Sequence, residues 1–119
     1  MYIFLPPSPP SCAQIHTECF IGTSLTDAES QGSSSACTVS CAGDNSEICG
    51  GPWANSVYTL PPKFQYIGCY KDGDNGVRAV PNDVTPAGSG STMTVELCAS
   101  LAQANNGATV FSIQNGNRE

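Results

Sequence analysis

The chain has 119 residues, enough for one domain or two incomplete ones, with 39% hydrophobic residues, twelve glycines, nine prolines and seven cysteines. So light an apolar content excludes a large hydrophobic core and requires another staple, which the cysteines supply as disulfides formed in an oxidising, secretory setting. A net charge of −6 with only four Lys and Arg excludes the basic patch that nucleic acid or an anionic membrane rewards, and is compatible with polysaccharides.

Met1 to Ser11 is Pro-rich, extended chain without the basic n-region of a secretion leader, and no apolar run in the sequence approaches membrane-spanning length. The cysteines point to secretion and the N-terminus does not, which is reconciled if the chain is a fragment or a mis-started product. Residues 1–16 are set apart as a disordered segment. Cys12 to Gly22 suits a strand ending at Gly22, and the Ser-rich run from Asp27 to Ala36 suits a loop or a frayed turn. Cys37 and Cys41 share one face if a helical turn forms there. Gly43-Asp44-Asn45-Ser46 is turn chemistry, and Cys49-Gly50-Gly51-Pro52 is a second tight turn whose glycines permit positive φ or close backbone approach. Ser56 to Leu60 alternates and is β-branched, as a strand is.

Residues 61–65, beginning Pro61-Pro62-Lys63, form a linker between two stretches, 17–60 and 66–119. Phe64 to Tyr70 alternates as a strand, Asp72 to Gly76 is a loop, and Arg78 to Gly90 is irregular. One helix is well specified: Thr94 is an N-cap, Glu96 sits in the first turn, and Leu97, Cys98, Leu101 and Ala102 form an apolar stripe ending before Asn105-Asn106-Gly107. Thr109 to Gln114 is a further strand, followed by an Asn-Gly turn signal.

These segments resemble the WSC domain of fungal cell-wall sensors and secreted oxidases. The family pattern runs GCY, MTVExC with a further cysteine, a strand, ECxCG, a CxxxC pair, and CGG leading into SVY. Gly68-Cys69-Tyr70 and Met93 to Cys98 match its opening half. Glu18-Cys19-Phe20-Ile21-Gly22, Cys37 to Cys41, Cys49-Gly50-Gly51 and Ser56-Val57-Tyr58 match its closing half. The order is inverted, closing half first. Two accounts fit: the end of one repeat followed by the start of the next, or one circularly permuted domain in which 17–60 and 66–119 complement each other. The resemblance implies an α+β, disulfide-rich, PAN/apple-like fold, a short antiparallel sheet with one main helix.

Two family cysteines are replaced, by Ile21 and Ala102. The resemblance implies that these positions are partners whose hydrophobic replacements pack in place of a bridge. Cys19, Cys37, Cys41, Cys49, Cys69 and Cys98 remain, enough for three disulfides among fifteen connectivities, with Cys12 as the odd thiol.

For function, the resemblance implies a non-catalytic carbohydrate-binding module for cell-wall β-glucan or a related polysaccharide, secreted or at the cell surface and tied to a membrane only through a parent protein. The alternatives are a spacer or interaction module of a wall sensor, and a domain trimmed from an oxidase and inactive alone. Trp53 in its turn is the leading sugar-stacking residue, with Asp44, Asn45, Glu47 and Asn55 as hydroxyl partners; Tyr70 joins the candidates, although Tyr58, Tyr66 and Tyr70 read first as half-buried strand residues. No cofactor or metal is expected. His16 has no partner motif for zinc, and Asp72-Gly73-Asp74-Asn75-Gly76 lacks the closing Glu and the glycine placement of a calcium loop. No carboxylate pair or His constellation suits catalysis, and the oligomeric state is not specified.

Overall fold

A computed structural model describes residues 17–60, 63–73, 78–86, 90–105 and 107–115. Cys12, His16, the prolines of the linker and Asp74 to Gly76 lie outside these residues. The described chain runs β1 (Thr17–Gly22), α1 (Leu25–Ala28), β2 (Ser40–Cys41), β3 (Asp44–Ile48), β4 (Ala54–Thr59), β5 (Gln65–Lys71), β6 (Asn82–Asp83), α2 (Val95–Gln103) and β7 (Val110–Asn115).

Five strands form one antiparallel sheet in the order β5-β4-β7-β1-β6, and β2 and β3 make a separate hairpin. Every neighbouring pair in the five-stranded sheet joins a strand from 17–60 to one from 66–119 or its immediate approach. Two disulfides repeat this pattern, Cys19 to Cys98 and Cys37 to Cys69, while Cys41 to Cys49 closes the β2–β3 hairpin.

Alternation along the strands sorts side chains onto two faces. Cys19 and Ile21 of β1, Tyr58 of β4, and Phe111 and Ile113 of β7 point to one face. There they meet Val95, Cys98, Ala99 and Ala102 of α2, together with Met93 and the Cys41–Cys49 bridge. Phe20, Val57 and Val110 point to the other, beneath Ala28 of α1 and Val80. The core is thus two thin layers either side of one sheet, each closed by a short helix or loop, with the disulfides on the α2 side. This is the small disulfide-rich α+β domain expected, with one main helix.

Helix α2 forms as its caps dictate. Thr94 Oγ1 accepts from Leu97 N–H at 3.0 Å, and Asn105 Nδ2 donates to the Leu101 carbonyl at 2.8 Å. Its inward stripe is Val95, Cys98, Ala99 and Ala102, with Leu97 and Leu101 flanking it. Ile21 and Ala102 both lie in the core on this face, on the elements that the Cys19–Cys98 bridge joins.

Several local expectations are corrected. Asp44 to Ser46 belongs to a strand rather than a turn, because the Cys41–Cys49 bridge and the Ser40–Ile48 pairing hold an otherwise polar segment extended; the turn falls at Ala42 and Gly43. Cys37 and Cys41 do not share a helical turn, and each goes to a different bridge. The Ser-rich segment is preceded by α1, which overlaps the expected loop at Asp27 and Ala28 because Ser24 Oγ caps Asp27 N–H at 3.0 Å and Ala28 packs inward. Gly50, at φ 71°, passes so close to the backbone of β4 and β7 that a Cβ would overlap the carbonyl oxygens of Ala54 and Ile113.

Candidate functional site

The pairing of β4 with β5 shifts register between Val57 and Tyr58. This bulge matters for what the hairpin displays. Gly68 lies opposite Val57 and Cys69 opposite Ser56, but Tyr66 lies opposite Tyr58, so both Tyr66 and Cys69 turn to the face that carries α2 despite an odd spacing. Tyr66 is thereby placed at the mouth of a groove of about 480 Å³ between the β4–β5 hairpin, β3 and the start of α2.

The floor of the groove is aromatic. Tyr58 stacks on Phe111, with ring centroids 4.9 Å apart and planes 7° from parallel, and is largely buried. Phe64 sits edge-on to both, at 5.7 and 5.9 Å, and Tyr66 edge-on to Tyr58 at 5.3 Å. The outer two rings stay open to solvent, Phe64 at 37% and Tyr66 at 55% exposure, next to exposed Ile48. Burial of Tyr58, aided by the neighbouring Tyr66, Glu47 and Glu96, pushes its phenol pKa to about 12, so it remains a neutral donor across the ordinary pH range.

Two carboxyl groups edge the same groove, Glu47 of β3 and Glu96 in the first turn of α2. Glu47 Oε1 accepts from Val95 N–H at 3.1 Å, at a helix end where Thr94 Oγ1 accepts from Leu97 N–H. Desolvation pushes the Glu47 carboxyl above its ordinary range. A hydrogen bond with Glu96 and the charges of Glu96 and Asp44 add to this, and the Val95 N–H opposes it.

Trp53 lies elsewhere. It adopts a left-handed backbone, φ 55°, at the entrance to β4 and is 51% exposed. Its carbonyl accepts from Asp72 N–H at 2.9 Å, and its indole rests on Gly73, where a Cβ would overlap the six-membered ring. With Lys71 and Asp72 they line a hollow of about 200 Å³. Beneath it the buried Asp72 carboxylate accepts from Arg78 at 2.8 Å, from Gln114 Nε2 at 2.7 Å and from Ala79 N–H at 2.7 Å. The first acidic residue of the DGDNG run is therefore satisfied by protein donors. Among the described residues no group of three or more His, Cys, Asp or Glu is arranged to hold a metal ion.

The sequence-derived candidates separate. Glu47 lines the aromatic groove. Asp44, on the same strand, holds Ser46 through its Oδ1, which lowers its pKa, and Asn45 beside it is exposed. None of the three lines the hollow at Trp53. Asn55 is completely buried in β4, with neither end of its amide hydrogen-bonded among the described residues, and so presents nothing to a ligand. Tyr70 packs against the opposite core layer and donates from its hydroxyl to Glu29 Oε2 at 3.2 Å. Phe64, Tyr66, Ile48 and Glu96 were not among the candidates. The available signal was an aromatic pair opening an edge strand, and simple alternation hid it because the bulge reverses the side on which Tyr66 emerges.

No family model matches the chain, and no solved structure matches it. Two relatives from Arthroderma benhamiae, each described as a WSC domain-containing protein, do. One is 34% identical over 111 residues, covering 82% of this chain and 14% of the relative. The other is 30% identical over 88 residues, covering 60% of this chain and 10% of the relative. The chain thus spans a small part of each relative's length. With the spaced Cys69, Cys98, Cys19, Cys37, Cys41 and Cys49 motifs all joined in three bridges within one domain, the chain belongs to the WSC-domain family.

Proposed function

We propose that the domain is a non-catalytic carbohydrate-binding module that acts outside the cell on cell-wall polysaccharide, β-glucan or a related polymer. The observation that carries this reading is the pair of open rings, Phe64 and Tyr66, standing over a groove with hydroxyl-binding groups at its edge. Pyranose C–H faces pack on aromatic rings, and carboxyl and phenol groups bond sugar hydroxyls. Trp53, its ring backed by the Gly73 backbone, is a second and separate stacking surface. Three disulfides support an oxidising, extracellular location, and no helix among the described residues is long and apolar enough to cross a membrane.

Retention on insoluble β-glucan, chitin and xylan tests the reading with wild type, Tyr66→Ala and Trp53→Ala side by side. Loss of retention with Tyr66→Ala locates the main contact in the groove; loss with Trp53→Ala alone moves it to the hollow. No retention of wild type on any of these polymers or on a glucosamine polymer would make the domain a spacer.

A further inference from the structure

Resting on the reading of the groove as a glycan site, we propose that it selects glycans bearing protonated amino groups, the chemistry of glucosamine polymers, over neutral ones. Two carboxyl groups and two open rings edge one concavity. No basic residue joins them: among the described residues Arg78 is paired with Asp72, Lys71 lines the hollow at Trp53, and Lys63 is not among the lining residues. The positive end of α2 offsets about half a charge. Two carboxyl groups without a cation among the lining residues leave the groove acidic, and the charge of Asp44 adds to it from the same strand as Glu47.

A neutral sugar entering here would strip water from two carboxylates and return only hydroxyl hydrogen bonds. An ammonium group placed here donates to the Glu47 and Glu96 carboxyls and meets the open rings of Phe64 and Tyr66, so desolvation is met by a counter-charge and by cation–π attraction. The capping role of Glu47 does not use up this chemistry, since the bond to Val95 N–H occupies one oxygen and leaves Glu96 exposed.

The test is titration calorimetry of the intact chain with hexamers of glucosamine, N-acetylglucosamine and β-1,3-glucose at about pH 6, where sugar ammonium and side-chain carboxylates coexist. At least tenfold tighter binding of the glucosamine hexamer is expected. In Glu47→Gln/Glu96→Gln, which keeps side-chain hydrogen bonding, the preference should fall to parity. A surface control, Asp27→Asn/Asp83→Asn, makes the same change in net charge away from the groove and should retain the preference; equal loss in this control would reduce the effect to general electrostatics and overturn the proposal. Equal or tighter binding of the neutral hexamers, with Tyr66→Ala weakening them, would overturn the selectivity while leaving the glycan reading in place. Failure of all three hexamers, with Tyr66→Ala without effect, would remove both.

Discussion

Thr17, the first residue of β1, lies directly opposite Asn115, the last residue of β7. Their strands are antiparallel neighbours, so a two-residue turn is the right length to join them. We expect a reordered chain, running from Lys63 to Asn115, through an Asn-Gly turn, then from Thr17 to Leu60, to unfold cooperatively and to form the same three bridges. Peptide mapping under non-reducing conditions reads the result. A different bridge map would mean that the two stretches are not halves of one permuted unit.

Removing bridges one at a time should rank by the chain length each encloses. The sequence separations are 79 residues for Cys19–Cys98, 32 for Cys37–Cys69 and 8 for Cys41–Cys49. Loop-closure entropy then gives losses of about 4.5, 3.7 and 2.5 kcal/mol for the paired Cys→Ala variants. Urea midpoints at constant m check the order. Because the core is thin, the first variant is expected to be largely unfolded at 37 °C.

Gly73→Ala places a methyl group where the indole of Trp53 lies and does so at φ +82°. A cost of about 1 to 3 kcal/mol is expected from the backbone alone. The chain has a single tryptophan, so its fluorescence reports the displacement directly as a red shift. An unchanged emission maximum would show that the ring does not rest on this glycine.

Glu47 gives the fold an acid-side preference. Its carboxyl titrates above the ordinary 4.5 in the folded protein, chiefly through desolvation, so the folded state holds a proton that the unfolded chain releases earlier. The associated stabilisation is fully present below that ordinary value and is lost as pH rises through the raised one. Glu47→Gln, which keeps an acceptor for Val95 N–H, should abolish this decline and raise stability at neutral pH. Denaturant midpoints across the acid range test the sign, and a wild type that gains stability over the same interval would contradict it.

Ile21 and Ala102 stand where the resemblance implies a pair of cysteines. Ile21 lies two residues beyond Cys19 on the same face of β1, and Ala102 lies one helical turn beyond Cys98; both are in one core cluster. Ile21→Cys/Ala102→Cys should form a fourth bridge without altering the other three, gaining about 2 to 4 kcal/mol. A mass spectrum showing two free thiols at these positions would separate the pair.

Much of the sheet was legible in the sequence because its strands obey period two and its helix carries a strong N-cap. Ser56 to Leu60, Phe64 to Tyr70 and Thr109 to Gln114 were recognisable for that reason, although β4 runs from Ala54 to Thr59 and β7 from Val110 to Asn115. β3 was not legible: Asp44-Asn45-Ser46-Glu47 has no strand propensity and is held extended by a bridge whose pairing six cysteines leave open. Asn55 read as a hydroxyl partner beside Trp53, and only the central place of β4 between β5 and β7 buries it. The groove depended on a register shift, which leaves little trace in a single strand's sequence.

The alternation of the two stretches across the sheet also dictates when this protein can begin to fold. As the chain emerges from its N-terminus, β1 and β4 appear first, and neither is a neighbour of the other; the strands that flank them come from residues not yet made. Of the three bridges, only Cys41–Cys49 joins residues that both lie in the first stretch. Until Cys69 and Cys98 arrive, Cys19 and Cys37 are thiols exposed to wrong partners. Closure of Cys19–Cys98 and Cys37–Cys69 is therefore expected to be late and long-range, after Cys41–Cys49.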